Sequence, residues 1–402
     1  MEAVKSQSQS KPRPLEKVLA MKGGNGDSSY AYNSAAQRKI VQTVKPILER
    51  LIYENTSLEL LFGGGGVFRI ADLGCGTGTN TLLVADTIVK ALQCICTRNR
   101  NSTTEMPELQ VYFSDLPSND FNSLFRMLPP WRSGGGDADA DKDTESHLKP
   151  LATKSYFAAA VSGSHFGRLF PRKSLHFCHS STSLHWLSRV PEGVEDRGSP
   201  AWSGNRVYVS SEYKEAVGDA YFQQFDKDLT AFLQARAEEM IRGGCMFLYL
   251  VGRNPGADLV KEQGILGVIS RHLEFAFEEM VNEGFIEREK WESFNIPWFG
   301  PSPQEVESIV EREKSFAIKS VRVLRGLTIH PMSQVKTGEE DMFGRMVANT
   351  YRALFDNIVE AHLGCDQLTN EFFSKVAQRA AANYLEYLPN TMDIVFALLL
   401  RK

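Results

Sequence analysis

The stretch that decides the fold is Asp72-Leu73-Gly74-Cys75-Gly76-Thr77-Gly78-Thr79-Asn80. A short apolar run at 67–73 leads into its first glycine, and an amphipathic pattern follows from about residue 80 to 94. These patterns predict a strand, a glycine turn and a helix. Glycine lets the backbone pass close beneath a ligand, and the free amides of a helix N-terminus attract a carboxylate. We therefore expect a ligand site at this turn.

The spacing of the glycines separates two classes of nucleotide site. A dinucleotide fingerprint has the form G-x-G-x-x-G, with an acid about 20 residues further on. Here the form is G-x-G-x-G with Asp72 two residues earlier, a pattern typical of S-adenosylmethionine methyltransferases. Asp115 ends the next strand, where a carboxylate can accept hydrogen bonds from both ribose hydroxyls while Leu116 packs on the adenine. The structural alternatives are a tight turn that needs glycine and an Asp that caps a turn.

Alternating strands and helices continue beyond this motif. Short strands are predicted at 110–115, 174–179 and 246–251, with a long helix at 216–241. This alternation indicates a parallel α/β sheet, and the apolar run at 246–251 is typical of a strand buried on both faces. We expect a Rossmann-like class I S-adenosylmethionine methyltransferase sheet.

The chain divides by composition into three parts. Residues 1–14 form a polar arm that we expect to be flexible, and residues 15–252 form the methyltransferase core with an N-terminal segment that covers the substrate. Residues 133–143 are acidic and of low complexity, as in a solvated loop. After 253 helical patterns dominate, including a capping box at Ser302-Pro303-Gln304-Glu305. We expect 253–402 to be a mainly helical cap, interleaved with the core and closing over the active site.

Bulk properties exclude several classes of function. The chain has 402 residues, 42% of them hydrophobic, and a net charge of −4, so it can build a large core but carries no basic field for nucleic acid. Its six cysteines contain no C-x-x-C pair, which indicates reduced thiols. The N-terminus has no apolar signal region, and the longest apolar stretches are too short to span a bilayer. We expect a soluble cytoplasmic protein that acts on a small molecule.

Several longer motifs point to one family. They are MKGG at 21–24, SYAYNS at 29–34 with Gln37, FSDLPSNDFN at 113–122, GRLFP at 167–171, HSSTSLHWLS at 179–188, FNIP at 294–297 and KSFAI at 314–318. With these motifs the sequence resembles the plant SABATH methyltransferases, named for salicylate, benzoate and theobromine enzymes. The matches run from about residue 15 to the C-terminus, and together they are highly specific. Lys314 stands where the family commonly has glycine.

The resemblance implies a set of residues around S-adenosylmethionine. They are Tyr30, Ser34, Asp72, Gly74, Cys75, Asn80, Asp115, Leu116, Ser164 and His165. Family members usually have an aromatic residue such as Phe where His165 stands, and Ser-Ser where this chain has Gly76-Thr77. The second change moves towards the general methyltransferase loop, so we expect cofactor binding to survive.

On the acceptor side the resemblance implies Gln37 and Trp186 as the catalytic pair. Their amide and indole N–H groups can both donate to one carboxylate, which stays anionic and nucleophilic. A carboxylic acid with a pKa of about 4–5 is already ionised at neutral pH, so no base is needed. The other residues implied to contact substrate are Lys22, Thr182, His185 and Ser270. Thr182 stands where many relatives have an aromatic residue, so a stacking role does not carry over.

The identity of the acid is predicted from likeness to one branch of the family. The runs at 196–199 and 242–248, with a small residue at Ser270, resemble the indole-3-acetate branch of the family. Alternatives are salicylate, benzoate, cinnamate, jasmonate, gibberellin and a xanthine ring nitrogen. From other classes, a non-catalytic sensor would have lost the glycine loop or the acceptor donors, and a nicotinamide dehydrogenase needs other glycine spacing.

The resemblance also implies a metal and an oligomeric state. Some family members have a magnesium ion near the Phe-Asn-x-Pro segment, which corresponds here to Glu292, the backbone oxygen of Phe294, and Asn295. A purely structural turn is an equally good interpretation, because one carboxylate makes a poor Mg²⁺ cluster. Homodimers are common in the family, so a homodimer is a further expectation.

Overall fold

The computed structural model describes most of the chain. The described residues are 16, 18–24, 26–63, 66–98, 106–129, 155–209, 215–256, 264–327, 338–384 and 391–402. The arm expected at 1–14 and the acidic loop expected at 133–143 lie outside these residues.

Among the described residues the elements alternate as predicted. The strands are β1 (Val67–Leu73), β2 (Glu108–Asp115), β3 (Phe157–Ser162), β4 (Leu175–Ser181), β5 (Met240–Gly252), β6 (Phe316–Leu327) and β7 (Met392–Arg401). The helices are α1 (Tyr30–Asn33), α2 (Ala35–Asn55), α3 (Leu58–Phe62), α4 (Thr79–Arg98), α5 (Phe121–Arg126), α6 (Glu215–Glu239), α7 (Gly264–Asn282), α8 (Arg288–Glu292), α9 (Pro303–Glu313), α10 (Glu340–Leu363) and α11 (Asp366–Ala382). None of the described helices is both long and apolar enough to cross a membrane.

The described strands form one sheet in the order β3-β2-β1-β4-β5-β7-β6. The five strands from β3 to β5 are mutually parallel, which confirms the expected Rossmann-like sheet. The sequence patterns missed three strands: β3 and β6, which are the two edges of the sheet, and β7. Both edges are only partly buried. In β6 charged residues interrupt the apolar pattern, and β3 is a short run rich in alanine, which is not a typical strand residue.

The segment from 253 onward is less purely helical than expected. It contributes β6 and β7 to the sheet, where β7 runs antiparallel to both β5 and β6. The apolar run at the C-terminus is therefore a central strand. The remaining helices pack largely on one another, with α10 against α11 and α11 against α7. The predicted capping box at Ser302 and Glu305 is present at the start of α9. The segment is thus interleaved with the core.

The order of the strands fixes where a ligand can bind. The connections run outward to β2 and β3 on one side of β1, and to β4 and β5 on the other side. In open α/β sheets, ligands bind beyond the carboxyl ends of the strands at the point where the order reverses. That point lies between β1, which ends at the glycine loop, and β4, which ends at Ser181.

A buried ion pair fixes the loop between β3 and β4. Arg236 and Glu239 are both fully buried, and their side chains are 2.7 Å apart. Arg236 donates to the backbone oxygens of His165 and Gly167, each at 2.9 Å. Glu239 accepts a hydrogen bond from the backbone N–H of Phe170 at 3.0 Å. Because a buried charge is stable only when it is paired, this cluster holds the loop in one place.

Candidate active site

One cavity at the reversal point brings most of the predicted site residues together. Its volume is about 1450 Å³, including the part open to solvent. The glycine loop and the end of β2 line one side, and α2, the loop after β4 and part of the 253–402 segment line the other. The predicted residues in its wall are Tyr30, Gln37, Gly74, Cys75, Asn80, Asp115, Leu116, Ser164, His165, Thr182, His185 and Trp186.

The end of β2 holds the glycine loop. The backbone N–H groups of Gly74 and Cys75 both donate to the carbonyl of Ser114, at 2.8 and 3.1 Å. The next residue, Gly76, donates to the Asp115 carboxylate at 2.6 Å. Its carbonyl accepts a hydrogen bond from the Asn119 amide at 3.1 Å. The loop therefore has a fixed shape before any ligand arrives.

Two glycines of the loop have positive φ and lie close to neighbouring side chains, and at Gly74 there is no room for a side chain. Gly74 has φ +78°, and a Cβ atom there would lie 2.0 Å from Ser183 Oγ. Gly76 has φ +62°, and a Cβ atom there would lie 3.3 Å from the Tyr30 ring. Glycine is needed for both the backbone angle and the close approach. Through these contacts the loops after β1 and β4 meet at Gly74.

Asp115 has the geometry expected of a ribose-binding carboxylate. Its Oδ2 accepts from Gly76 and its Oδ1 from its own neighbour Leu116, at 2.6 and 2.7 Å. Each oxygen has a second lone pair, so both can still accept a hydroxyl. Burial raises the pKa of Asp115 to about 6, against the two backbone hydrogen bonds, which lower it.

Asp72 lies beneath the loop and is not part of the cavity wall. Its carboxylate is 2.8 Å from His179 Nδ1 and also accepts a hydrogen bond from Thr81. Asp72 and His179 are neighbours across β1 and β4, and both are buried. The acid before the glycines therefore joins the two strands that flank the reversal point, a role that its place in the motif does not reveal.

His165 is a neutral ring in the cavity wall. Burial, together with nearby Arg236, lowers its pKa to about 3. The ring packs edge-on against Phe166 and Phe232, at 4.5 and 5.9 Å between ring centroids. An uncharged flat ring can replace the aromatic residue that the family usually carries at this position.

At the acceptor end, Gln37 on α2 and Trp186 in the loop after β4 line the same cavity. His185 lies beside Trp186, with 5.9 Å between ring centroids, and burial lowers its pKa to about 3. These three groups are neutral and can form hydrogen bonds. Thr182 lies in the same loop at φ +46°, which is rare for a β-branched residue, and its N–H donates to Tyr249 O at 2.8 Å.

Three other predicted residues lie outside the cavity wall. Lys22 pairs with Asp356 at 2.9 Å, so its charge holds the N-terminal segment to α10. The carbonyl of Ser34 accepts from the Asn80 amide at 3.2 Å and so holds Asn80 in place. Ser270 is buried, and its hydroxyl donates to the carbonyl of Leu266, one turn earlier in α7. A motif identifies a residue but not the direction in which its side chain points.

Two of the three residues predicted to hold magnesium, Glu292 and Asn295, have side-chain oxygens engaged in other contacts. The Glu292 carboxylate is paired with Arg197, and Asn295 Oδ1 is 3.4 Å from the Tyr221 hydroxyl. The Phe294 ring packs on Phe277, 4.8 Å between centroids. Within the described parts of the chain, no three His, Cys, Asp or Glu side chains are grouped to hold a metal. This arrangement favours the interpretation of the segment as a structural turn.

The sequence patterns did not reveal the apolar part of the wall. Among these residues are Leu19, Met21, Leu266, Ile269, Trp298, Leu354 and Met392. They come from five separate parts of the chain and meet only in the folded structure. Asn119 and Ser183, which shape the glycine loop, stood inside quoted motifs. A closer examination of those motifs could have identified them.

Comparison with known proteins agrees with this geometry. A family model described as SAM dependent carboxyl methyltransferase matches residues 16–402. Indole-3-acetate O-methyltransferase 1 of Oryza sativa subsp. japonica is 39% identical over 380 residues, 93% of this chain and 90% of the relative. The protein of the same name in Arabidopsis thaliana is 39% identical over 376 residues, 94% of this chain and 93% of the relative. Other relatives, at 35–37% identity, are named for jasmonic, gibberellic and salicylic acid.

A solved structure is also similar over nearly the whole chain. It is described as loganic acid methyltransferase with SAH, and it is 31% identical with a TM-score of 0.79. The match covers 95% of this chain and 98% of that chain. The likeness extends over the sheet and over the segment after 253.

The contact between Gly74 and Ser183 gives a test of the glycine loop. We expect Gly74→Ala to weaken S-adenosylmethionine binding roughly 5- to 150-fold, because overpacking costs about 1–3 kcal/mol. Gly243→Ala is the matched control, since Gly243 also has positive φ but an added Cβ meets nothing within 4 Å. The double variant Gly74→Ala/Ser183→Gly should recover part of the lost affinity in a calorimetric titration. Equal affinities for Gly74→Ala and Gly243→Ala would contradict this account.

Proposed function

Because the chain belongs to the family of S-adenosylmethionine-dependent carboxyl methyltransferases, we propose that it methylates the carboxylate of a small, largely apolar acid, indole-3-acetic acid. The observation that carries the proposal is that one cavity contains both the glycine loop and the pair Gln37 and Trp186. A methyl donor and a carboxylate bound in one cavity can react directly, without a carrier group on the protein.

The cofactor end of the cavity offers contacts for the ribose and for the adenine of S-adenosylmethionine. The Asp115 oxygens have free lone pairs for the two ribose hydroxyls, and Leu116 and His165 offer uncharged surface to the adenine. Tyr30 and Gly76 face each other across the loop. When bound, S-adenosylmethionine supplies a methyl group on a positively charged sulfur.

The acceptor end suits a carboxylate that is already ionised. Gln37 and Trp186 donate hydrogen bonds from neutral groups, so they orient the anion without taking away its charge. One carboxylate oxygen gives an electron pair to the methyl carbon, and the carbon–sulfur pair returns to sulfur. The products are a neutral ester and a neutral thioether. No proton moves, so the chain supplies positioning, water exclusion and orientation.

The choice of indole-3-acetic acid rests on the relatives. Both relatives at 39% identity are named for that acid, and relatives named for other acids match at 35–38%. The apolar residues in the wall agree with an acid that carries an apolar ring. The second candidate is another acid of the family, such as jasmonate, gibberellin, salicylate, benzoate or cinnamate. A sensor that binds without turnover is less well supported, because the acceptor donors are in place.

Magnesium has no step in this reaction. The paired carboxylate of Glu292 does not favour a metal there, and the chemistry needs neither a base nor a Lewis acid. The residues proposed for the reaction all belong to one chain. The homodimer therefore stays a prediction from the resemblance.

Cofactor affinity should depend on pH through Asp115. Ribose hydroxyls donate to the carboxylate, so binding favours its charged form and lowers its pKa from about 6 in the free protein. Affinity for S-adenosylhomocysteine is then full above about pH 6 and falls as the pH drops below it. Asp115→Asn should bind more weakly with a flat profile. Titration without any acid substrate isolates this effect, and a flat profile for the unchanged protein would refute the role of Asp115.

Transfer of labelled methyl to free acids and to their amides tests the proposed function. We expect transfer to indole-3-acetate and none to indole-3-acetamide, because the amide lacks the anionic oxygen. Transfer only to another acid would keep the reaction and replace the substrate. Tight cofactor binding with no transfer to any acid would overturn the proposal in favour of a sensor.

Two variants test the acceptor donors in the same assay. Gln37→Ala and Trp186→Phe should each lower kcat/KM about 10- to 100-fold, since a hydrogen bond to a charged group contributes about 1.5–3 kcal/mol. The controls are Gln42→Ala, on the same helix, and Trp202→Phe, neither of which lines the cavity. If the paired variants and controls behaved alike, the acceptor site would have to lie elsewhere.

A further inference from the structure

The FNIP segment and the residues after it lie along the acceptor loop. Trp186 and Trp298 form an antiparallel backbone bridge. On either side of it, Leu187 N donates to Pro297 O and Phe299 N donates to His185 O, both at 2.7 Å. The FNIP segment is thus attached by its backbone to the loop that carries Trp186, the residue predicted to donate a hydrogen bond to the carboxylate.

Trp298 connects this segment to the cavity. Its side chain lines the cavity wall, although the residue is only 3% exposed. Its ring contacts those of Trp186 and Phe355, at 5.8 and 5.4 Å between centroids. Phe355 packs on both tryptophans but does not line the cavity. Trp298 is therefore the member of this cluster that stands beside Trp186 in the wall.

The hydrogen-bonding state of Trp298 indicates what the ring does. Its indole nitrogen is buried and has no partner among the described residues, whereas a buried tryptophan usually finds one. The side chain is thus not held in the wall by a hydrogen bond of its own to the described residues. The contacts that the described residues show for this side chain are those of its flat ring, with Trp186 and Phe355.

We infer that Trp298 is the residue that sets the shape of the acid. The planes of Trp186 and Trp298 meet at 43°, which makes a narrow corner beside the carboxylate donor. We expect a planar aromatic acid to lie against these rings and a bulky, non-planar polycyclic acid to clash with Trp298. Three other apolar wall residues from the segment after 253, Leu266, Ile269 and Leu354, are aliphatic and less rigid. This inference rests on the proposed carboxyl methylation.

A packing role and a shape-selecting role predict different kinetics. If Trp298 only supports Trp186, its loss lowers kcat/KM for every acid in the same proportion. If it limits the shape of the acid, its loss changes the ratio between acids. Phe355→Leu is the matched control, because it loosens the packing of both tryptophans without removing any of the cavity wall.

The experiment compares indole-3-acetate with gibberellic acid, a non-planar polycyclic acid. In Trp298→Leu we expect the ratio of kcat/KM for gibberellic acid over indole-3-acetate to rise at least about tenfold, the usual scale for a steric change in a pocket. Phe355→Leu should lower kcat/KM for gibberellic acid and for indole-3-acetate in the same proportion. Trp298→Phe, which keeps an aromatic ring, should raise the same ratio of kcat/KM values by a smaller factor. This variant provides the test if Trp298→Leu does not fold.

The outcomes distinguish failure of this inference from failure of the proposed function. An unchanged ratio in both Trp298 variants, with the starting protein active on an acid, overturns the inference and leaves carboxyl methylation intact. A starting protein that prefers gibberellic acid also overturns it. If the starting protein and all variants methylate no acid, the proposed function fails, and the inference fails with it.

Discussion

The close approach of Gly74 to Ser183 is the constraint on which the site depends. A single β-carbon at Gly74 would overlap the Ser183 side chain, so the loops after β1 and β4 can meet only because glycine is there. The loop after β1 forms the cofactor end of the cavity, and the loop after β4 carries His185 and Trp186. Their contact brings the two ends close together. In-line transfer requires this, because the reacting atoms must meet at about 3–3.5 Å.

Buried polar contacts keep the two loops in place from below and from the side. Asp72 and His179 join β1 to β4 beneath the glycine loop. Arg236 and Glu239 hold the loop that carries His165. Breaking one partner of such a buried pair leaves an uncompensated charge, at a cost of about 3–5 kcal/mol. These contacts fix the geometry of the site without touching a ligand.

The N-terminal segment closes the cavity through contacts distant in the sequence. Lys22 pairs with Asp356 on α10, and the Asn357 amide donates to Ala20 O at 2.6 Å. Gly24 N donates to the Asp120 carboxylate at 3.2 Å at the start of α5. The segment is thus held between α5 and α10, and Leu19 and Met21 face the cavity. Lys22 serves the site by holding this cover in place.

Local signals made the centre of the site predictable from the sequence. The glycine spacing and the strand before it identify Gly74 and Gly76, and the end of the next strand identifies Asp115. The family motifs added Gln37 and Trp186, which the fold brings to the same cavity. The sequence could not show in which direction a side chain points or which distant residues it contacts.

The residues that were missed or misplaced illustrate this limit in physical terms. Ser270 matched a pocket position, but its hydroxyl donates to the helix backbone. Trp298 directly follows the FNIP motif but is not part of it, and only the folded structure reveals its place in the wall beside Trp186. Edge strand β6 carries charged residues because solvent covers part of it, and edge strand β3 is short and rich in alanine, so neither has a typical strand pattern.

A crystal structure with S-adenosylhomocysteine and indole-3-acetate bound together tests the central claim most directly. The account predicts the homocysteine sulfur beside the glycine loop, and the carboxylate within hydrogen-bond distance of Gln37 Nε2 and Trp186 Nε1. One carboxylate oxygen should point at the sulfur. A carboxylate bound away from this pair, with the indole ring next to the sulfur, would contradict the account.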